Sequence, residues 1–352
     1  MRLLGLLVGW LALFSNCVAM QVSFINPGKS DEAFWVSVSQ TMQAAADELG
    51  VGLEIHYAQR NHIQMLNLLD QILQRSQKPD YLILVNEKGM GAALLARANA
   101  ARVPSLLLLN TLSPHERQHV GFPRQRLPYW LGSLTPDNEM IGYLTAKQLL
   151  HRAQAQTKPV QLLAINGDRM TPAALAREQG LSRALREFPQ AKLMQTVYAD
   201  WERPRAAQQS TELLQRYPAV HTIWAASDQM AFGALQASRA LQRPLIVSGV
   251  NTSFEALRAV QTGELAVLGG GHFVAGGFAI VMLYDYHHGL DFAKPTPDIE
   301  APLMTLIQPP LAIRLYRQLS QPHAVWGFKR FSKLGKNVAP PAFSLTALLT
   351  DP

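Results

Sequence analysis

The stretch "YLILVNEKGMGAALLARANAARVPSLLLLN" (81–110) sets two short, wholly apolar runs on either side of a longer amphipathic one. "YLILV" (81–85) and "SLLLLN" (105–110) read as strands, and 88–102 reads as a helix. Strands without alternation are buried on both faces, and a helix between them brings the second strand back parallel to the first. The unit repeats upstream, with strands at "QVSFI" (21–25) and "LEIHY" (53–57) and helices at 33–49 and 61–76. In the first helix Trp35, Val38, Met42, Ala45 and Leu49 recur at three- and four-residue spacing, and Gly50 stops it.

The pattern then restarts. Strands are expected at 160–165, 193–198, 221–226, 244–250 and 264–269, and helices at 138–153, 172–187, 204–216, 228–241 and 253–262. Between the two series, "NTLSPHERQHVGFPRQRLPYWLGSLTPDN" (110–138) is Pro-rich and aperiodic, and reads as a connection. Two doubly wound α/β lobes with parallel sheets follow. Ligands of such sheets sit beyond the carboxyl ends of the strands, so facing lobes would share a cleft.

The chain opens "MRLLGLLVGWLALFSNCVAM", with a basic residue, an apolar run and small residues near Ala19. This is the layout of a secretory signal peptide over residues 1–19, too short in its apolar part to span a bilayer comfortably. A lipoprotein site at Cys17 is disfavoured by the bulky or polar residues before it. Cys17 is the single cysteine, so the mature chain would hold neither disulfides nor thiolate chemistry. About 330 mature residues exceed one ordinary core, in keeping with two lobes. The net charge is +7 and is partly concentrated in "WGFKRFSKLGK", through Lys329, Arg330, Lys333 and Lys336. In an exported protein such a run reads as a solvated face or a docking patch for a membrane partner, not a nucleic-acid site.

Catalytic motifs are weak. "HERQH" (His115–His119) has zinc-site spacing but barely a turn of helix and no third ligand. "LGGGHFVAGG" (268–277) has Val274 where a dinucleotide fingerprint needs its third glycine. His272 within it reads by itself as a loop histidine. No nucleophile elbow or P-loop occurs, so neither an enzyme nor a cofactor or metal is expected. In "SDEAFWVS" (30–37), Asp31 fits a helix N-cap and Glu32 the favourable end of the helix dipole.

Four segments carry a family resemblance: "SDEAFWVSVSQTMQAAADELG", "AREQGLSRAL" (176–185), "IWAASDQMAFGALQA" (223–237) and "IVSGVNTSFEALRAVQTGELA" (246–266). Together they resemble the type I periplasmic binding proteins of the ribose-binding-like branch. Some features, among them the 110–138 insertion, look closer to the receptor for the furanosyl-borate quorum signal. The resemblance implies two lobes joined by a three-stranded hinge, with crossings near 136, 271 and 300. It places 20–136 and 272–300 in lobe 1, and 137–271 and 301–352 in lobe 2 with its C-terminal extension. It also implies a ligand set: Glu32, Phe34, Trp35, Asn110, Arg177, Gln179, Trp201, Ser227, Asp228, Asn251, Gly271 and His272. One of Phe34 and Trp35 could be core, and Asp228 could equally cap its helix. The charged contacts of ribose binders become Asn110, Thr111, Asn251 and Gly271 here, so no particular ligand is implied. Flat aromatics with amides and hydroxyls suit the apolar faces and polar rim of a sugar. The expected role is a monomeric carrier of a small polar, sugar-like ligand to an inner-membrane ABC permease. The alternative is a receptor that docks on a membrane sensor. A repressor would need a helix-turn-helix where the apolar leader stands.

Overall fold

The computed structural model describes residues 19–156, 159–321, 324–337 and 342–350. The expected signal peptide lies almost wholly outside them. The strands are β1 (Gln21–Asn26), β2 (Gly52–Tyr57), β3 (Tyr81–Leu84), β4 (Ser105–Leu108), β5 (Trp130–Pro136), β6 (Val160–Asn166), β7 (Ala191–Tyr198), β8 (Thr222–Ala225), β9 (Ile246–Val250), β10 (Val267–Gly270), β11 (Asp298–Ala301) and β12 (Thr305–Leu306). The helices are α1 (Ala33–Leu49), α2 (His62–Leu73), α3 (Gly91–Ala100), α4 (Pro114–Val120), α5 (Asn138–Gln154), α6 (Pro172–Glu187), α7 (Arg203–Arg216), α8 (Asp228–Ala240), α9 (Phe254–Thr262), α10 (Ala275–His287), α11 (Pro309–Leu319) and α12 (Leu345–Leu349).

They build two six-stranded sheets, in the orders β2-β1-β3-β4-β5-β11 and β7-β6-β8-β9-β10-β12. All pairings are parallel except β10 with β12. The runs "YLIL" and "SLLL" are buried at every residue, as helices on both faces require. In each sheet the order reverses beside the first strand, which opens a crevice at the carboxyl edge. The chain passes between sheets at Pro136–Asn138, at Gly271 and between Ala301 and Thr305.

Three expectations are corrected here. The 110–138 segment is more than a connection. Ser113 and Glu116 form a reciprocal capping box that starts α4, and β5 carries the first sheet to its crossing. Asp31 does not cap α1. The cap position is Glu32, whose side chain makes no capping bond because it is engaged elsewhere. The tail is not confined to the second lobe. After α11 packs on α9, residues 328–331 return to α1 and α10 of the first. There Phe328 and Phe331 are fully buried against Phe278, and Phe343 stacks on the same ring at 4.6 Å. Glu48, near the end of α1, accepts from the backbone N–H groups of Trp326, Gly327 and Lys329 at 2.9–3.1 Å. Of the basic run, Arg330 turns inward to the Ala347 and Leu348 carbonyls at 2.6 Å, while Lys329, Lys333 and Lys336 face solvent.

Candidate functional site

A cavity opens where the carboxyl edges of the two sheets face one another, enclosing about 670 Å³ with its mouth included. That is within the range of small-molecule sites. Each lining residue follows a strand. The first lobe supplies Glu32, Phe34 and Trp35 after β1, Arg60 after β2, Glu87 after β3, and Leu109 and Asn110 after β4. The second supplies Thr171, Ala173 and Arg177 after β6, Trp201 after β7, Ser227 and Asp228 after β8, and Asn251 after β9. Asn138 and His272 line it from the first two crossings.

Aromatic rings form the walls. Phe34 and Trp35 both reach the cavity, although Trp35 is also core at 3% exposure. Phe34 meets Trp35 edge-on at 5.1 Å and stacks on His272 at 4.5 Å. Gly28 is what lets Trp35 lie flat, since a Cβ there would sit 2.2 Å from the indole. Gly167 does the same for Trp201, again at 2.2 Å. Trp201 is further held by its Nε1–H, which donates to Asp168 at 2.8 Å. That carboxylate also accepts from the N–H groups of Met170 and Thr171 and from the Thr171 hydroxyl. Burial pushes the Asp168 pKa up, but these donors outweigh it and hold it below the usual carboxylate range.

Two arginines organise the polar rim. Arg60 binds Glu87 at 2.8 Å and Glu32 through Nε at 2.9 Å, with a second, closer contact from Nη2 to Glu32. Burial opposes the Arg60 charge, yet Glu87 and Glu32 raise its pKa above the ordinary value. Glu87 is raised by burial, with Asp168 across the cleft adding to the shift and Arg60 opposing it. Arg177 is 3% exposed and donates to Asn138 Oδ1 at 3.0 Å, to the Ala226 carbonyl at 2.7 Å and to His272 Nε2 at 3.2 Å. Burial lowers its pKa to about 10, which leaves it charged at neutral pH. Burial, then Arg177, holds His272 well below its ordinary 6.5.

Ser227 is the N-cap of α8, accepting from Met230 N–H at 3.3 Å. Asp228 is therefore the first helical residue, not the cap. It accepts from Gln229 N–H at 2.8 Å and Asn251 Nδ2 at 3.0 Å, and burial raises its pKa. Asn110 Oδ1 accepts from Ala173 N–H at 3.1 Å, across the cleft.

Two expected residues stand elsewhere. Gln179 is exposed on the outer face of α6 beside Glu178 and Ser182. It follows Arg177 by two residues, about 200° round the helix, so the two cannot face the same way. Gly271 lies behind the cavity at the crossing, where a Cβ would meet the Leu303 carbonyl at 2.6 Å and Leu345 at 2.7 Å. Its φ of +116° suits glycine, and the neighbouring His272 supplies the side chain instead. Arg60, Glu87, Asn138 and Thr171 were not expected in the site. Their positions just past strand ends or at the first crossing were the available signal. Among the described residues, no group of three or more His, Cys, Asp or Glu side chains is arranged to hold a metal.

A family model described as the periplasmic binding protein domain matches residues 22–289. The crystal structure of a periplasmic sugar-binding protein from Pseudomonas fluorescens is 40% identical, with a TM-score of 0.85 over 94% of this chain and 100% of that one. The ribose import binding protein of Haemophilus influenzae is 26% identical over 266 residues, covering 75% of this chain and 82% of its own. The D-allose-binding periplasmic protein of Escherichia coli is 26% identical over 269 residues, 74% and 82% of the two chains. With the two sheets, their crossings and the cleft between them, these matches establish that the chain belongs to the periplasmic binding protein family.

Proposed function

We propose that the protein is a periplasmic solute-binding protein that closes around a small, sugar-like ligand and delivers it to an inner-membrane ABC permease. The observation that carries this is the aromatic-walled cavity between the carboxyl edges of the two sheets, with Phe34 and Trp35 on one side and Trp201 on the other. Such rings cover the C–H faces of a sugar, while Asn110, Asn138, Ser227, Asp228 and Asn251 offer polar atoms to its rim. The protein is read as a monomer that reaches the periplasm by its N-terminal signal peptide. It binds its ligand without transforming it. Docking on a permease, and not on a membrane sensor, is favoured by the relatives named as import binding proteins. It is also favoured by a tail whose aromatics are committed to the first lobe.

A thermal-shift panel of pentoses, hexoses and polyols tests the reading. A ligand at a hundred times its Kd stabilises the closed protein by about 2.7 kcal/mol, a shift of several degrees. A panel in which no sugar or polyol raises the melting temperature contradicts the proposal.

A further inference from the structure

Most of the charged atoms around the cavity are engaged within the protein. Arg60 is shared by Glu32 and Glu87, and Asp168 accepts four hydrogen bonds. Arg177 donates to three partners, and Asp228 accepts from Gln229 and Asn251. A charged ligand would therefore meet no uncompensated partner here.

Two buried nitrogens in the wall are different. Trp35 Nε1 and His272 Nδ1 are shielded from solvent and have no hydrogen-bond partner among the described residues. Their residues are 3% and 4% exposed, and both line the cavity. A buried donor left unmatched is costly, so such atoms mark places that something else completes. The chemistry of each is fixed. Indole nitrogen only donates. A guanidinium has no lone pair, so in its contact with His272 Arg177 is the donor and Nε2 the acceptor. The neutral imidazole then carries its proton on Nδ1. The doubly protonated ring would set one cation 3.2 Å from another.

We infer that Trp35 and His272 form a donor-only subsite that reads two acceptor oxygens on an uncharged ligand, with Arg177 as the positioning residue that fixes the histidine tautomer. The inference rests on the sugar-binding reading and narrows it. Ring oxygens, hydroxyls and carbonyls satisfy the subsite, whereas a protonated amine has no lone pair to offer it. A carboxylate or phosphate could accept, but its charge would go uncompensated. Phe34, edge-on to one donor ring and stacked on the other, holds the two in register.

The test titrates the mature protein calorimetrically with D-ribose, D-allose, L-arabinose and D-galactose, and with D-galactosamine and D-galacturonate as the charged counterparts of galactose. The expected result is saturable binding of a neutral sugar, with both charged sugars weaker than galactose. Trp35→Phe and His272→Phe keep a ring and remove a donor, and each should weaken the best neutral sugar about fivefold. His272→Gln, whose amide can donate, should recover part of that loss. In the sugar-bound protein, ¹⁵N NMR should find the His272 proton on Nδ1, and Arg177→Met should mix the tautomers. Unchanged affinity in both phenylalanine variants, or a proton on Nε2, overturns the subsite and leaves sugar binding standing. Tighter binding of galactosamine or galacturonate than of any neutral sugar overturns the uncharged-ligand assignment. No binding by any sugar removes the sugar reading and the subsite together.

Discussion

Asn110 in the first lobe caps helix α6 of the second: its Oδ1 accepts from Ala173 N–H at 3.1 Å. The helix makes no such bond for itself, because the hydroxyl of its cap residue Thr171 donates to Asp168 instead. Closure of the lobes thus completes a helix terminus. Loss of a cap costs about 1 kcal/mol, here charged to the closed form alone. Asn110→Ala should weaken sugar binding about fivefold and leave denaturant stability of the free protein nearly unchanged. Calorimetry and urea titration check this, and equal affinities would show that the cap does not contribute to closure.

Arg60 ties three loops of the first lobe through Glu32 and Glu87. Removing one partner of a buried ion pair strands the other, at about 3–5 kcal/mol. Arg60→Met should lower stability by that amount, and adding Glu87→Gln should restore much of it, as read from urea midpoints. A double variant no more stable than Arg60→Met would mean that the stranded charge is not the cause.

His272 sets a pH dependence whose sign follows from its depressed pKa. A histidine held neutral when folded contributes stability that is complete above pH 6.5, and that stability is lost as pH falls toward the folded-state pKa. Between those limits one proton is taken up on unfolding, so the slope approaches about 1.4 kcal/mol per pH unit. Burial raises the pKa of Glu87 and Asp228, so these carboxylates act in the opposite sense. The difference between wild type and His272→Gln isolates the histidine. Parallel stability curves for the two proteins between pH 6.5 and 5 would contradict this assignment.

Gly167→Ala would drive a methyl into the Trp201 ring, which must then shift into the cavity. Overpacking costs about 1–3 kcal/mol, and the displaced ring should reduce sugar affinity at least tenfold. Replacement of Gly263, where nothing lies near the added methyl, is the control: its φ of +80° strains the backbone without touching the site. Comparable affinities for the two variants would exclude a steric effect at Trp201.

Phe328→Ala empties a fully buried site beneath Phe278 and should cost about 3–5 kcal/mol. The loss should appear as faster hydrogen exchange in α1 and α10 and not in α8 or α9. Uniform exchange across both lobes would place the tail's contribution elsewhere.

Much of the architecture was legible because its signals are local. Helix α1 occupies the expected residues 33–49, and α6 the expected 172–187, since apolar spacing and a terminal Gly or Pro mark each. Strand β5 was hidden because "WLGSLTP" holds one Gly, a closing Pro and a single β-branched residue, and it pairs with the distant "DIEA" of β11. The tail misled through its charge. Phe328 and Phe331, three apart within "FKRF", carry the burial while the lysines beside them face water. In the site, a run of aromatics and amides was visible in sequence, but the Arg60–Glu87 pair joins two loops that share no motif. Gln179 was misplaced because alignment to a pattern does not specify which face of a helix a residue takes.

Strand β11 pairs with β5 across more than 160 positions of chain, and β12 joins β10 only at residues 305–306. Neither lobe can therefore be excised as one continuous fragment with all its strands. A chain cut before residue 298 lacks the outermost strand of both sheets. Biosynthesis must run to that point before either half can be completed, so nascent chains shorter than this would present two unfinished sheet edges at once.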